Sequence, residues 1–158
     1  MHSRSRPLVG KYAFTVHDLS MGIEQAKFQK ATGLSMTLNI GEYSEGGAVA
    51  PMKEVTRATF ANCSLQHGVF ENEELYSWVR ETVNMLVGPP IGAGVASPGQ
   101  LRNFSIRQRR RDRSVLKTVD LYNAQPTTFS PGEFDNDSND VQVETLELAY
   151  EWFDVRLR

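Results

Sequence analysis

Between residues 34 and 40 the chain alternates: Leu34, Met36, Leu38 and Ile40 are apolar, and Ser35, Thr37 and Asn39 between them are polar. A period of two defines a strand with one apolar face. That strand runs straight into Glu42-Tyr43-Ser44-Glu45-Gly46-Gly47, a polar loop closed by two glycines. A strand with one apolar face must find both a sheet to pair with and a surface to cover it. Nothing in the segment has the character of a catalytic group. It reads as a structural joint, which directs attention away from enzymes and toward assembly.

The remainder of the chain supplies other strands and a single helix. Tyr12, Phe14 and Val16 alternate with Ala13, Thr15 and His17, predicting a strand over 11–19, followed by a polar turn over 19–24. A second strand or strand pair is expected over 28–40, a long connection over 41–53 and a third strand region over 56–67. Residues 72–87 carry Leu75, Val79, Val83 and Leu86 at helical spacing, with Trp78 beside them. Asn72 is a suitable N-cap, Glu73 and Glu74 complement the positive end of the helix dipole, and Gly88-Pro89-Pro90 stops the helix. Residues 87–100 are rich in glycine, proline and alanine and have no periodicity, so they read as a loop or mobile insertion. A hairpin is expected from 104–109 and 114–123 around Arg110-Arg111-Asp112-Arg113, then a turn-rich linker over 126–140. The last strand, 141–153, changes parity near Glu144-Thr145, which suggests a bulge.

Together these give a mainly β (α+β) fold: about six antiparallel strands in a barrel or sandwich with one capping helix. With 158 residues and no internal repeat or composition shift, one domain is expected over 10–158, preceded by a flexible tail over 1–9. A net charge of -2 argues against a dedicated nucleic-acid binder, which is usually basic. No apolar run approaches the ~20 residues of a membrane helix. The basic N-terminus lacks the apolar segment of a secretory leader, so synthesis in the cytoplasm without a signal peptide is expected.

Candidate chemistry is thin. The single cysteine, Cys63, excludes an intrachain disulfide or a Cys-x-x-Cys motif and fits a buried thiol better than a nucleophile. His2, His17 and His67 lack metal-ligand spacing. Ser64 and His67 are near each other in sequence, but no acid is placed to orient a triad. Asp135, Asp137 and Asn139 match the first positions of an EF-hand loop, but Asp140 replaces its glycine and Leu146 its bidentate carboxylate, so a polar surface loop is the better reading. Gly92-Ala93-Gly94 follows a helix and has no lysine after it, unlike a phosphate loop. Arg107, Arg109, Arg110, Arg111 and Arg113 form the strongest charge cluster. No aromatic residues are interleaved for base stacking, so they suit a solvated turn or the charged rim of an interface better than a nucleic-acid grip. No catalytic residue, metal site or cofactor is expected.

Short motifs from one end of the chain to the other carry a resemblance. Phe14-Thr15-Val16 opens the series, and Phe28-Gln29-Lys30-Ala31-Thr32-Gly33-Leu34 and Glu42-Tyr43-Ser44-Glu45-Gly46-Gly47 follow it. Next come Leu65-Gln66-His67-Gly68 with Leu75-Tyr76-Ser77-Trp78, then Asn123-Ala124-Gln125-Pro126, and last Glu144-Thr145-Leu146-Glu147-Leu148-Ala149. In order and spacing, over about 10–153, the chain resembles the tube-protein family of contractile phage tails and phage-tail-like injection systems, to which the type VI secretion tube protein is related. It departs from the family pattern in its 87–100 insertion and in Ala50-Pro51-Met52-Lys53, where the family has a Pro-Gly pair.

The resemblance implies subunits that close into hexameric rings, stacked as a hollow tube that a contracting sheath drives through an envelope. Implied partners are the chain itself, the tail sheath protein, baseplate or tube-initiator proteins, and a tape-measure protein or cargo in the lumen, without membrane anchoring or specific nucleic-acid recognition. The implied location is a virion tail or a phage-tail-like particle. In this setting the 41–53 loop, with Glu42, Tyr43, Glu45, Gly46, Gly47 and Pro51, is expected to contact a neighbouring subunit. The alternatives are a single-ring initiator or terminator at one end of the tail and, from a different class, a nucleic-acid-binding barrel using the arginine cluster.

Overall fold

The computed structural model describes residues 14–20, 23–25, 28–47, 49–68, 73–87, 101–137, 140 and 142–157. Among them, ten strands and one helix follow in the order β1 (Phe14–Asp18), β2 (Ile23–Gln25), β3 (Lys30–Thr32), β4 (Met36–Tyr43), β5 (Met52–Phe60), β6 (Cys63–Gly68), α1 (Glu73–Val87), β7 (Arg102–Arg109), β8 (Val115–Ser130), β9 (Val143–Ala149) and β10 (Trp152–Leu157). All strand pairs are antiparallel.

The long strand β8 organises the fold because two sheets share it. Its first half lies between β7 and β10, and its second half pairs with β9. The path runs β2-β1-β7-β8-β9-β6-β3, with β10 on β8 as a branch. The corner falls at Asn123, whose φ of 53° turns the strand. Its side-chain amide donates to Glu151 Oε2 at 2.7 Å, and its backbone N–H donates to Asn103 Oδ1 at 2.9 Å. Asparagine tolerates this left-handed conformation, and both bonds hold it there.

Side chains alternating inward from both sheets meet in one core. Val16, Phe104, Ile106, Val119 and Leu121 come from one sheet, and Cys63, Leu65, Leu146 and Leu148 from the other. Fully burying one such aliphatic or aromatic side chain stabilises by about 1.5–3 kcal/mol. Helix α1 closes one end of this core with Leu75 and Trp78, both buried. The Trp78 ring lies 5.5 Å from that of Phe104.

The mainly β fold with one helix matches the sequence reading, but the strands number ten among the described residues instead of about six. Among the described residues the sheets do not close into a barrel: the path ends at β2 and β3. The turn expected over 19–24 overlaps the short strand β2, which starts at Ile23. The linker expected from 126 is strand up to Ser130, because a register shift between Pro126 and Thr128 accommodates the missing proline N–H. The final strand is two, β9 and β10, broken at Tyr150 and Glu151. No bulge occurs at 144–145, where β9 pairs with β6 in unbroken register; Val143 simply faces the opposite side from buried Leu146 and Leu148. The tail expected over 1–9 and the insertion beyond Val87 up to 100 lie outside the described residues.

Candidate assembly surface

The segment 28–68 is one long hairpin with a bend in it. Its inner part, β3 with β6, belongs to the sheet that carries β9. Its outer part, β4 with β5, is a separate two-stranded sheet. The bend lies at Gly33, whose φ is +87°, and a β-carbon there would collide with the Asn62 carbonyl oxygen. Across the bend Ala61 N–H donates to Ser35 O at 3.1 Å, so the ladder resumes directly beyond it.

Past the bend the apolar stripe keeps running but loses its cover. Leu34 and Phe60 pack against the core, with Phe60 5.7 Å from Phe153. Met36 stands opposite Phe60, Leu38 opposite Ala58 and Ile40 opposite Val55. Met36, Leu38, Ile40 and Val55 are 51%, 50%, 60% and 57% exposed. The register slips between Asn39 and Ile40, leaving Thr56 as the extra residue, and its hydroxyl donates to Asn39 O at 3.1 Å. That slip is why β5 shows no simple alternation in sequence: Phe60, Ala58 and Val55 share a face at unequal spacing.

The residues read as inter-subunit from sequence fall at the far end of this hairpin. Glu42 and Tyr43 are the last two residues of β4, so the polar loop is shorter than 41–53 and spans 44–51. Glu45 precedes the turn at Gly46 and Gly47, and Pro51 leads into β5. All six are exposed. Glu42 and Lys53 face each other at 3.6 Å, an exposed pair of little energetic weight. Gly47 has a φ of +98°, a conformation that disfavours side chains, whereas Gly46 carries no such demand. The apolar face beneath this tip drew less weight in the sequence than the tip itself, although the alternation from Leu34 to Ile40 signalled half of it.

The arginine cluster is split. Arg107 and Arg109 are half-buried on β7, and Arg110, Arg111 and Arg113 are exposed in the turn to β8. Two backbone bonds brace that turn, Arg110 N–H to Ser114 O at 2.8 Å and Arg113 N–H to Arg110 O at 3.0 Å. Asp112 is engaged within it, accepting from the Ser114 hydroxyl at 2.6 Å and the Ser114 N–H at 2.9 Å. Those bonds hold its carboxyl below the usual range, the hydroxyl contributing most.

Elsewhere, among the described residues, those weighed in sequence are not brought together as a reaction centre; His2, Gly92, Gly94 and Asn139 lie outside the described residues. Cys63 is buried and its thiol is pushed up to about 12 by desolvation. Ser64 and His67 sit on opposite faces of β6, where His67 meets the edge of Phe28 with ring centres 5.8 Å apart. No described helix is long and apolar enough to cross a membrane.

Among the described residues, an open β fold extends an exposed apolar hairpin beyond its core, and exposed apolar patches of this kind mark interaction surfaces. The chain belongs to the T4-like virus tail tube protein gp19 family, whose model matches residues 10–154. Its fold is similar to a chain in the structure of the anti-feeding prophage cap, the tube-terminating cap, with a TM-score of 0.79 at 21% identity over 100% of this chain and 97% of that one. It is also similar to a chain of the PVC extracellular contractile injection system sheath–tube complex in the extended state, with a TM-score of 0.73 at 22% identity over 96% and 93%. Hcp1 from Flavobacterium johnsoniae shares the fold at a TM-score of 0.53, with 12% identity over 91% and 94%. Comparison with curated proteins gives no match. Family and fold thus agree with the motif resemblance.

Proposed function

We propose that this chain is the building block of the inner tube of a contractile tail or phage-tail-like injection system. Copies close into hexameric rings, and the rings stack into a hollow conduit for DNA or effector that sheath contraction drives through a target envelope. The observation that carries this reading is the β4–β5 hairpin, whose apolar face leaves the core and is uncovered in the single subunit. A neighbouring copy is the natural cover, and pairing along its free edges would convert an aggregation hazard into ordered assembly. Glu42, Tyr43, Glu45, Gly46, Gly47 and Pro51 meet that neighbour at the hairpin tip.

In this role the protein works without catalysis. Its partners are a sheath outside, a baseplate or initiator at one end, and a tape-measure protein or cargo within the lumen. It resides in a virion tail or free particle, synthesised in the bacterial cytoplasm. A terminating ring is the second reading, favoured by similarity to the anti-feeding prophage cap and to the PVC sheath/tube terminator, the latter at a TM-score of 0.75. Negative-stain electron microscopy of purified particles, with subunit copy number, tests both. Tubes with this chain among the most abundant components support the polymer; a single ring's worth per particle supports the terminator. A protein that stays monomeric at high concentration, alone and with its baseplate partners, refutes the two together.

A further inference from the structure

The two ends of strand β8 carry opposite charge. Before it, residues 107–114 hold five arginines and one aspartate; after it, residues 131–142 hold four carboxylates and no basic residue. With sixteen residues, β8 separates the two groups by a contour of up to roughly 50 Å.

The acidic end is concave. Glu133, Phe134, Asp135, Asp140, Gln66 and Gln142 are among the residues lining an open cavity of about 760 Å³. The loop is tied down at its base, where Gln142 Nε2 donates to Pro131 O at 2.9 Å. Phe134 is 83% exposed within this carboxylate-lined hollow. Carboxylates that accept forked hydrogen bonds, beside a free aromatic face for stacking, make the environment that receives a guanidinium. At the other end the turn is exposed and braced by its backbone, and its arginines stand against a single carboxylate, Asp112, which Ser114 fixes in place.

We propose that these ends are two halves of one contact: the arginine turn of one copy seats in the acidic cavity of the next. The occupant is a second copy of this chain, chosen by the opposite charge of an exposed turn and an open cavity and by the exposed Phe134. Such a contact is heterologous and propagates unless its rotation closes. It suits the stacking of one ring on the next, while the apolar hairpin suits closure within a ring, because permanent interfaces are the more apolar ones. Repetition around the ring lets individually weak, salt-screened pairs act together. This placement rests on the tube reading; the charge pairing itself does not.

Charge exchange in the full chain tests it, by sedimentation and negative-stain microscopy at low and high salt. Arg110→Glu with Arg111→Glu should lower the fraction in stacks by about tenfold or more, and Glu133→Lys with Asp135→Lys should do the same, through many repeated contacts. Unchanged thermal unfolding establishes that each variant folds, and either pair alone suffices if the other does not. The four substitutions together should restore stacking. Variants that stack as well as the parent, or a combined variant that does not recover, overturn the contact and leave the tube reading standing. A parent chain that never self-associates at any salt concentration overturns both.

Discussion

Arg102 reaches Asp18 through the protein interior, Nη1 to Oδ2 at 2.9 Å, while its guanidinium carbon lies 4.9 Å from the ring centre of Trp78. Both partners are buried, with side chains 7% and 0% exposed. The pair ties the end of β1 to the start of β7 and seats the helix above them. Removing one member leaves the other's charge buried and uncompensated, which costs about 3–5 kcal/mol. Asp18→Ala should therefore lower urea-unfolding stability by that order, and Arg102→Met similarly. The double variant should lose less than the sum of the two. Strict additivity would mean that the pair does not act as a unit.

Gly33 should be the least replaceable glycine in the described hairpin. Its φ of +87° and the Asn62 carbonyl against it leave no room for a β-carbon. Gly33→Ala should destabilise by more than the ~1 kcal/mol of an unfavourable backbone conformation alone, since the ladder must also shift. At Gly46 nothing lies within 4 Å. Gly46→Ala should leave thermal unfolding essentially unchanged, and Gly47→Ala should fall between the two because of its φ of +98°. Equal melting temperatures for the Gly33 and Gly46 variants would contradict the bend as described.

The hairpin face separates folding from assembly. Leu38 and Ile40 are at least half exposed in the single subunit, so Leu38→Glu with Ile40→Lys removes little packing from it. The melting temperature should stay close to that of the parent while ring formation, read by size-exclusion chromatography and microscopy, is lost. Desolvating two charges against a neighbour's apolar surface costs several kcal/mol per contact. Normal rings from this variant would show that another surface closes them.

The strands that alternate cleanly were legible in sequence: Phe14 to His17, Met36 to Ile40 and Leu146 to Ala149 lie where a period of two places them, whereas the same period carried on to Trp152 missed the break between β9 and β10. The helix was legible from Leu75, Trp78 and Val79. What escaped had local geometry that breaks the period. Thr56 is an extra residue in β5, so Val55 and Ala58 share a face three apart and the partner half of the apolar stripe did not register. Pro126 reads as a stop, yet a register shift carries β8 past it. Barrel closure is a global property, and no local pattern in β2 or β3 announces that they are edges. The arginine turn was visible as a cluster. Its acidic counterpart was read as a bland loop, because only the folded chain places that loop at the opposite end of the same strand.

Cys63 should make the fold sensitive to alkali. Burial pushes its thiol up from 9.0 to about 12. In the unfolded chain the thiol ionises first as the pH rises past its ordinary value, while the folded protein still holds the proton. The stability this provides is complete below about pH 9 and falls away toward about pH 12, at about 1.4 kcal/mol per pH unit. Tyr150 shifts the same way, mainly by desolvation and then by repulsion from the Cys63 charge, and adds to the alkaline loss. Urea unfolding between about pH 8 and about pH 10.5 should show the parent losing stability more steeply than Cys63→Ala, which lacks the titrating group. Below about pH 9 the two curves should run parallel, offset by the cost of the cavity left by the sulfur. The native thiol should also resist alkylation until the protein unfolds, because the thiolate is the reactive form. Identical alkaline slopes in the two proteins, or rapid labelling of folded Cys63, would show that the thiol is not shielded as its burial requires.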